Sequence, residues 1–389
     1  MSLKIKYFIK LCIFWGLHIF YVFPIKKKNI FFVAFLGQHI CCNPKYIYKF
    51  MKEKNLPCKY IWCCKNKSES NDKSITYLKS KSIKSIFYLM TCGVIITNDQ
   101  IPDYIPFRKK QMLIETWHGG GLYKKDTYGD DLNTWYLVKS YLAQRKRKIL
   151  SEFISSSALF TKNAIIDFSL PEEKFVSYGM PRNDVFFNNK LVNDINTKIR
   201  NQFEIEDNTI IVIYAPTFRN NVKNAEFSFS LNIEALEKTI MKKFGEKVVF
   251  FMRGHHTFEM CGISMNVDNN HVINVSGYPD MQELICASDI LISDYSSTLW
   301  DWSLTQKPAF IYAPDVEQYI KNRGFYMPIE DWGFSVAQTN EQLIKNIEEF
   351  KESDFIDRML KHQSTLGSYE DGHATERIVN DIMNHIGVM

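Results

Sequence analysis

The chain is 389 residues long, which exceeds the size at which one hydrophobic core usually divides, so its length predicts two domains. Hydrophobic residues make up 46% of it and charged residues 23%, a composition typical of globular proteins and not of disordered ones. The formal net charge is +5 and the sequence lacks helix-turn-helix, zinc-finger and RNA-binding signatures, so we expect no nucleic-acid partner.

The first predicted element is an apolar helix with basic flanks. Leu11–Phe23 is a run of thirteen mostly apolar residues between Lys10 and the run Lys26–Lys28. A membrane-spanning helix needs roughly 20 apolar residues, so this run is too short to cross a bilayer. Two interpretations remain, an interfacial helix with lysines at the lipid headgroups or a helix packed against the first domain. The basic flanks favour an interfacial helix within residues 1–28.

Two series of short apolar runs follow, each alternating with amphipathic stretches. Continuous apolar runs indicate strands buried on both faces, and hence parallel sheets covered by helices. The first series predicts strands Ile30–Phe35, Tyr60–Cys64, Val94–Asn98, Met112–Thr116, Ala158–Thr161 and Phe175–Tyr178, and helices Lys45–Lys54 and Ser82–Cys92. The second predicts strands Thr209–Tyr214, Val248–Met252, His271–Val275, Ile290–Ser293 and Ala309–Tyr312, and helices Ile233–Phe244, Pro279–Ala287, Thr298–Thr305, Glu341–Lys351 and Thr375–Gly387.

The polar stretch Asn188–Asp207 is the best linker candidate between the two series. We therefore predict an α/β protein with two Rossmann-like, doubly wound domains that face a central cleft. The predicted division is a basic-apolar segment 1–28, an N-terminal domain 29–195, a C-terminal domain 196–370 and a C-terminal helix 371–389.

The nine cysteines predict neither disulfides nor a metal site. Their number is odd, and the adjacent pairs Cys41–Cys42 and Cys63–Cys64 lack the C-x₂₋₄-C spacing of structural zinc sites. Buried, reduced cysteines are typical of cytoplasmic proteins. We therefore expect a cytoplasmic chain without a metal.

A histidine followed by three glycines lies just after one predicted strand of the first series. The motif is Trp117-His118-Gly119-Gly120-Gly121, whose glycine backbone can approach a ligand closely. Imidazole titrates near neutral pH, so His118 suits a general base that takes a proton from an attacking hydroxyl. The alternative is a tight turn with a hydrogen-bonded surface histidine.

Cationic side chains follow two predicted strands of the second series. Arg219 follows Thr209–Tyr214, and Arg253 and His255 follow Val248–Met252. Guanidinium groups bind phosphate oxygens through two parallel hydrogen bonds, so these motifs predict phosphate contacts. Surface ion pairs and a solvated turn are the alternatives. Adjacent histidines at 255 and 256 point apart and lack a completing carboxylate or cysteine, which disfavours zinc.

The most informative motif runs from a buried strand directly into a helix. Ser296 and Ser297 lie at the predicted helix start, where hydroxyls and backbone N–H groups together can bind a phosphate. Arg323 follows one strand later and adds a cation. The alternative is an ordinary Ser/Thr N-cap. The sequence has no P-loop, dinucleotide-binding, nucleophile-elbow or zincin motif.

Together these residues resemble the CDP-glycerol glycerophosphotransferase family, the teichoic acid polymerases and primases. The blocks that carry the resemblance are, in order, Trp117–Gly121, Gly179–Asp184, Ala215–Arg219, Arg253–His256, Asp294–Ser297, Arg323–Tyr326 and Asp371–Arg377. This chain departs from the family pattern at Gly120 and Gly121, which replace Thr-Pro, and at His256, which replaces Pro. The glycines are expected to loosen the loop that holds His118.

The resemblance implies a GT-B-like fold, in which residues 29–195 form the acceptor domain and residues 196–370 the nucleotide-donor domain. It implies a CDP-activated polyol phosphate as donor substrate, no cofactor and no metal. It implies catalytic roles for His118, His255 and Asp301. It implies substrate contacts from Gly119, Gly120, Arg182, Thr217, Arg219, Arg253, Asp294, Ser296, Ser297 and Arg323. It also implies a peripheral enzyme at the cytoplasmic face of the plasma membrane.

The expected reaction moves glycerol phosphate from CDP-glycerol to a hydroxyl of a polysaccharide or lipid-linked acceptor, in the synthesis of a teichoic-acid-like or capsule polymer. CDP-ribitol is an alternative donor for the same motifs. Two further alternatives stay open, a GT-B glycosyltransferase that uses a nucleotide-sugar and a non-catalytic scaffold of a capsule assembly complex.

Overall fold

The computed structural model describes residues 3–65, 72–99, 101–125, 140–217, 231–245, 247–254 and 271–388. The chain divides into two compact units. The first unit contains the described residues up to His118, residues 140–184 and the segment from Tyr369 onward. The second contains Gly119–Lys125 and the described residues from Val185 to Ser368. The division thus falls after Asp184 and not after residue 195, and the C-terminal segment joins the first unit.

A parallel sheet forms the core of the first unit. In the described residues its strand order is β3-β2-β1-β4-β5-β6-β7, the order of a doubly wound sheet. The strands are β1 Lys26–Val33, β2 Lys59–Cys63, β3 Ile75–Leu78, β4 Cys92–Thr97, β5 Met112–Glu115, β6 Glu152–Ile154 and β7 Phe175–Val176. Every residue of β4 is buried, which explains why its sequence is continuously apolar and not alternating.

Serine N-caps begin three helices of this unit. The helices are α1 Leu3–Leu17, α2 Cys42–Glu53, α3 Ile83–Thr91, α4 Tyr141–Ile149 and α5 Ala158–Phe168. Ser82, Ser140 and Ser157 each accept a hydrogen bond from the backbone N–H three residues later, at 3.0–3.2 Å. The predicted strand Ala158–Thr161 is wrong. It is the first turn of α5, because a short apolar run does not distinguish a strand from a buried helix start.

The N-terminal helix is longer than predicted. Leu3–Val22, which combines α1 with the 3₁₀ helix His18–Val22, forms 20 helical residues that by length and composition alone could cross a membrane. The prediction that this segment is too short to span a membrane is therefore wrong. It counted only Leu11–Phe23, whereas the helix also includes Lys4–Lys10. β1 begins at Lys26, so the predicted boundary at residue 28 lies inside a strand.

One face of α1 packs on the first unit and the other face is exposed. Phe14 is buried, meets Tyr141 edge-on with ring centroids 6.0 Å apart, and lies 5.1 Å from the Arg145 guanidinium. On the other face the exposed fractions are 66% for Phe8 and 62% for Trp15. The helix therefore packs against the first unit, as one of the two interpretations predicts, and it leaves an apolar face exposed.

The second unit is built on another doubly wound sheet. In the described residues its strand order is β10-β9-β8-β11-β12-β13, again fully parallel. The strands are β8 Thr209–Ala215, β9 Lys247–Met252, β10 Val272–Asn274, β11 Ile290–Ser293, β12 Ala309–Tyr312 and β13 Ser335–Ala337. The two doubly wound sheets confirm the predicted α/β class.

Helices cover this second sheet. They are α6 Asn189–Gln202, α7 Ile233–Phe244, α8 Met281–Ala287, α9 Thr298–Ser303, α10 Val316–Asn322, α11 Asn340–Glu348 and α12 Glu352–Thr365. The predicted linker consists largely of α6, which packs on α8 with Lys198 Nζ 2.6 Å from Glu283 Oε2. It is therefore part of the second unit.

The last helix, α13 (Ala374–Ile386), returns to the first unit. The Asp184 carboxylate accepts hydrogen bonds from the backbone N–H groups of Ala374 and Thr375, at 3.1 and 2.7 Å. A carboxylate in this position satisfies N–H groups that have no partner within the helix and interacts favourably with the helix dipole. Two of the sequence blocks, Gly179–Asp184 and Asp371–Arg377, thus serve to attach this helix.

Candidate active site

His118 lies at the carboxyl ends of the first sheet's central strands. Its Nδ1 is 2.7 Å from the carbonyl oxygen of Asn98, the residue that follows β4. A carbonyl only accepts, so Nδ1 carries the proton and Nε2 is the basic nitrogen of the neutral ring. The ring also stacks on Trp117, with centroids 4.3 Å apart. The imidazole is thus oriented as a general base requires.

The backbone before His118 is in a rare conformation. Trp117 has φ +53°, a left-handed value that costs a non-glycine residue about 1–3 kcal/mol. Its N–H donates to Glu115 Oε1 at 3.1 Å. Burial raises the pKa of the Glu115 carboxyl, and the nearby Lys146 ammonium opposes that shift. Buried groups therefore hold a conformation that the chain would not adopt alone.

The glycines after His118 lie against the start of α9 in the second unit. A Cβ on Gly119 would lie 2.7 Å from Ser297 Oγ, and one on Gly120 would lie 2.0 Å from Trp300 Cδ1. Gly121 has φ +76°. The first two glycines permit a close approach to α9 and the third permits the turn.

Tyr123 anchors the same loop in the core of the second unit. Its ring stacks on Trp332 at 4.5 Å, and its hydroxyl oxygen is 2.7 Å from His362 Nε2. Burial lowers the pKa of His362 to about 4, so its imidazole is neutral near pH 7. Burial also raises the pKa of Tyr123, which stays protonated.

The block Arg323–Tyr326 pairs with this loop as a short antiparallel bridge. Lys124 and Phe325 are bridge partners, and Tyr326 N–H donates to Tyr123 O at 2.7 Å. Arg323 Nε donates to Lys125 O at 2.7 Å. One edge of the Arg323 guanidinium is thus engaged with the loop that follows His118.

Asp294 connects the ends of two adjacent strands of the second sheet. This buried carboxylate accepts from Thr217 N–H at 2.9 Å, from the Thr217 hydroxyl, and from Tyr295 N–H at 2.6 Å. The blocks that follow β8 and β11 are therefore joined at the point where the sheet reverses strand order, which is where doubly wound sheets bind ligands. Thr217 and Asp294 thus contact each other, and their predicted substrate contacts stay predictions.

The serine hydroxyl of Ser296 contacts the first residue of α9. Ser296 Oγ accepts from Thr298 N–H at 3.2 Å and donates to Thr298 Oγ1 at 3.0 Å. Ser297 Oγ faces Gly119, as described above. Ser297, the N-cap residue of α9, makes no side-chain capping hydrogen bond, and the phosphate contacts of both serines stay predictions.

Three other predicted site residues contact the protein itself. Arg253 Nη1 donates to Val275 O and Tyr278 O at 2.9 and 2.6 Å. Asp301 is buried, and its Oδ2 accepts from Gln282 Nε2 at 3.0 Å. The remaining residue, Arg182, donates through Nη1 to the carbonyl oxygen of His118 at 2.8 Å.

Two predicted site residues, Arg219 and His255, lie outside the described residues. Among those that are described, no group of three or more His, Cys, Asp or Glu side chains is placed to hold a metal ion. The expectation of a reaction without metal or cofactor stays a prediction.

The family model for CDP-Glycerol:Poly(glycerophosphate) glycerophosphotransferase matches residues 17–384 of this chain. The chain belongs to this family. It is 27% identical over 371 residues to the teichoic acid poly(glycerol phosphate) polymerase of Bacillus spizizenii, which covers 92% of this chain and 93% of that protein. It is 28% identical to the polymerase of that name from Staphylococcus epidermidis, of which it spans about half (50%) while 91% of this chain is matched. Ribitol-phosphate primases and polymerases also match.

Among solved structures, the transferase resembles a variant of the wall teichoic acid polymerase TagF soaked with CDPG. The TM-score is 0.80 at 26% identity, over 93% of this chain and 90% of that one. The comparison confirms the GT-B-like fold, and the family confirms the predicted enzyme class, a glycerophosphotransferase of the teichoic acid type.

Several residues around the candidate site carry no motif of their own. Asn43 and Asn98 contact the segment around His118, and His362 binds the loop after it. They lie far from His118 and the glycine loop in sequence, so nothing local marks them. Tyr123 could have been found from the sequence, because it lies only two residues after the last glycine of the motif.

Proposed function

We propose that this transferase uses CDP-glycerol as donor and transfers glycerol phosphate to a hydroxyl of a membrane-associated or polysaccharide acceptor. His118 Nε2 takes the proton of the acceptor hydroxyl while its oxygen forms a bond to the β-phosphorus. The bond from that phosphorus to the bridging oxygen breaks, and CMP leaves with the electron pair. The observation that carries the proposal is the hydrogen bond from His118 Nδ1 to Asn98 O, which makes Nε2 the base.

Phosphoryl transfer depends mainly on positioning and electrostatic stabilisation. In this proposal Arg323 stabilises charge on the pyrophosphate, with Arg219 and His255 as further cations of the set. Ser296 and Ser297 bind the same group through hydroxyls or backbone N–H groups, and Asp301 lies within the site. The direct contacts of Arg182 and Arg253 with backbone carbonyls support a positioning role for these two arginines.

CDP-ribitol is the second candidate donor. The matches to ribitol-phosphate primases and polymerases support it, because their identities of 25–27% are close to those of the glycerol-phosphate polymerases. Family membership favours both CDP-polyols over a nucleotide-sugar donor and over a scaffold without activity.

We also place the transferase at the cytoplasmic face of the membrane, with the exposed face of α1 in the lipid interface. Phe8 and Trp15 on α1, and Ile19 and Val22 on the 3₁₀ helix that continues it, are each more than three-fifths exposed. Lys4, Lys6 and Lys26–Lys28 flank them, and cations near an apolar face favour anionic headgroups. Membrane binding would bring the site to a lipid-linked acceptor.

The donor is tested by calorimetry with CDP-glycerol, CDP-ribitol, UDP-glucose and CMP, and by CMP release with a synthetic lipid-linked disaccharide acceptor. We expect one CDP-polyol to bind most tightly. His118→Ala should lower kcat by about 10²–10⁴-fold, the range for a lost general base, with donor Kd within about 3-fold. The matched control is His373→Ala, an exposed histidine of the same unit. Lost donor binding with normal kcat at saturation would contradict the assignment of His118, and preference for UDP-glucose would contradict the donor class.

A further inference from the structure

The segment that leads into His118 is held by two buried side chains from elsewhere in the first unit. Asn43, at the start of α2, is fully buried. Its Nδ2 donates to Thr116 O at 3.1 Å and to Trp117 O at 2.9 Å. Its Oδ1 accepts from the backbone N–H of Arg182 at 3.0 Å. This amide uses two donors and an acceptor, which is nearly its full capacity.

Arg182 extends the contact by one residue. Its side chain is 5% exposed, and its Nη1 donates to His118 O at 2.8 Å and approaches Cys42 Sγ at 3.3 Å. Three consecutive carbonyls, those of Thr116, Trp117 and His118, are therefore bound by Asn43 and Arg182. We call these two side chains the carbonyl clamp.

The clamp acts at a segment whose backbone is unfavourable by itself. Trp117 is in the left-handed region, and three glycines follow His118. Without fixed carbonyls this segment has easier conformations available. The hydrogen bond from Nδ1 to Asn98 O orients the His118 ring only if the His118 backbone is already in place.

We propose that Asn43 and Arg182 are positioning residues that hold His118 where Nε2 can reach the acceptor hydroxyl. This inference rests on the proposed function, because it assumes that His118 is the base. It replaces the expected substrate contact of Arg182 with a contact to the catalytic segment. Displacement of a catalytic group by about 1 Å can lower the rate roughly 10²-fold. We therefore expect loss of the clamp to lower kcat and to leave donor binding unchanged.

The test compares Asn43→Ala with the matched variant Gln111→Ala. Gln111 is an equally buried amide of the same unit, and its Nε2 donates to Leu89 O and Cys92 O while its Oε1 accepts from Arg108 N–H. Both variants remove two carbonyl contacts and one N–H contact, so both should lower Tm. Only Asn43→Ala should lower kcat, by about 10–100-fold, with donor Kd within about 3-fold.

A double variant separates positioning from general destabilisation. If Asn43 acts through His118, Asn43→Ala should not lower the residual kcat of His118→Ala any further. Arg182→Lys keeps a hydrogen-bond donor group and the positive charge but loses the guanidinium geometry, so its kcat should lie between those of wild type and Arg182→Ala. This pair supplies the same test if Asn43→Ala does not fold.

Each result has one meaning. Equal kcat for Asn43→Ala and Gln111→Ala, or additive effects of Asn43→Ala and His118→Ala, would overturn the clamp and leave the proposed function intact. Full activity of His118→Ala would instead overturn the assignment of the base. An inactive wild type with every CDP-polyol would overturn the proposed donor.

Discussion

At the scale of single residues, the family blocks consist largely of side chains that bind other parts of the protein. Arg182 binds the carbonyl of His118, Asp294 binds the Thr217 backbone, and Asp184 caps α13. These are residues for which the resemblance implied substrate contacts or no stated role. Their contacts indicate that the family blocks include residues that stabilise the fold as well as residues predicted to contact ligands.

The glycines after His118 show the same principle. They were expected to loosen the loop, because they replace Thr-Pro of the family. Their surroundings indicate close packing instead, since a Cβ at Gly120 would overlap the fully buried indole of Trp300. The absence of a side chain at Gly120 therefore leaves room for the Trp300 indole.

We expect Gly120→Ala to destabilise the protein by about 1–3 kcal/mol, the usual cost of overpacking. The measurement is the free energy of unfolding in urea. Gly277→Ala is the control, because a Cβ there would meet no atom within 4 Å, and it should change stability by less than about 0.5 kcal/mol. Equal stability of the two variants would show that Trp300 moves aside without cost.

At the scale of secondary-structure elements, hydrophobic patterns located most strands and helices. The predicted ranges Ile290–Ser293, Ala309–Tyr312 and Ile233–Phe244 agree with the structure at both ends. Three strands were missed, namely β3, β6 and β13. Each is only three or four residues long and has half-buried positions, so its pattern resembles that of a loop.

For the N-terminal helix, the predicted contact with a membrane surface stays a prediction. Its packed face meets Tyr141 and Arg145, and its other face stays apolar and exposed. We expect the protein to bind vesicles that contain anionic lipid. Trp15→Glu should weaken binding by about 10-fold or more, because a charge replaces a large interfacial aromatic side chain.

Vesicle co-sedimentation measures this effect, at low and at high salt. Leu360→Glu is the matched control, since Leu360 is another exposed apolar residue but lies on α12. Equal vesicle binding by wild type and Trp15→Glu would rule out the exposed face of α1 as the lipid contact.

At the scale of the whole molecule, stability toward acid depends on a residue that sequence motifs did not reveal. His362 is buried beside Tyr123, and burial lowers its pKa to about 4 from the ordinary 6.5. Between these values the unfolded chain binds a proton at this site and the folded chain does not. Stability is therefore lost as pH falls from about 6.5 to about 4.

We expect His362→Gln to reduce this acid-induced loss of stability, by an amount on the order of 3 kcal/mol. Tyr123→Phe is the control, because it removes the hydroxyl but keeps a buried histidine, so the loss should persist. Urea unfolding at pH 7 and pH 4.5 measures both. An unchanged pH dependence in His362→Gln would assign the acid sensitivity to other groups.

The sequence by itself determined the class of fold, the family and the residue proposed as base. Those properties depend on local patterns, namely apolar runs of strand length and short motifs placed directly after them. Strands made of continuous apolar residues are typical of parallel sheets that are buried on both faces.

Only the tertiary structure decided which residues surround His118 and where each unit ends. Asn43 and Arg182 are 139 positions apart but share a hydrogen bond, and α13 belongs with the first unit although it follows the second in sequence. Long-range pairings of this kind leave no local pattern, because each requires only one polar atom at a suitable distance. Packing therefore determines the geometry on which the proposed chemistry depends.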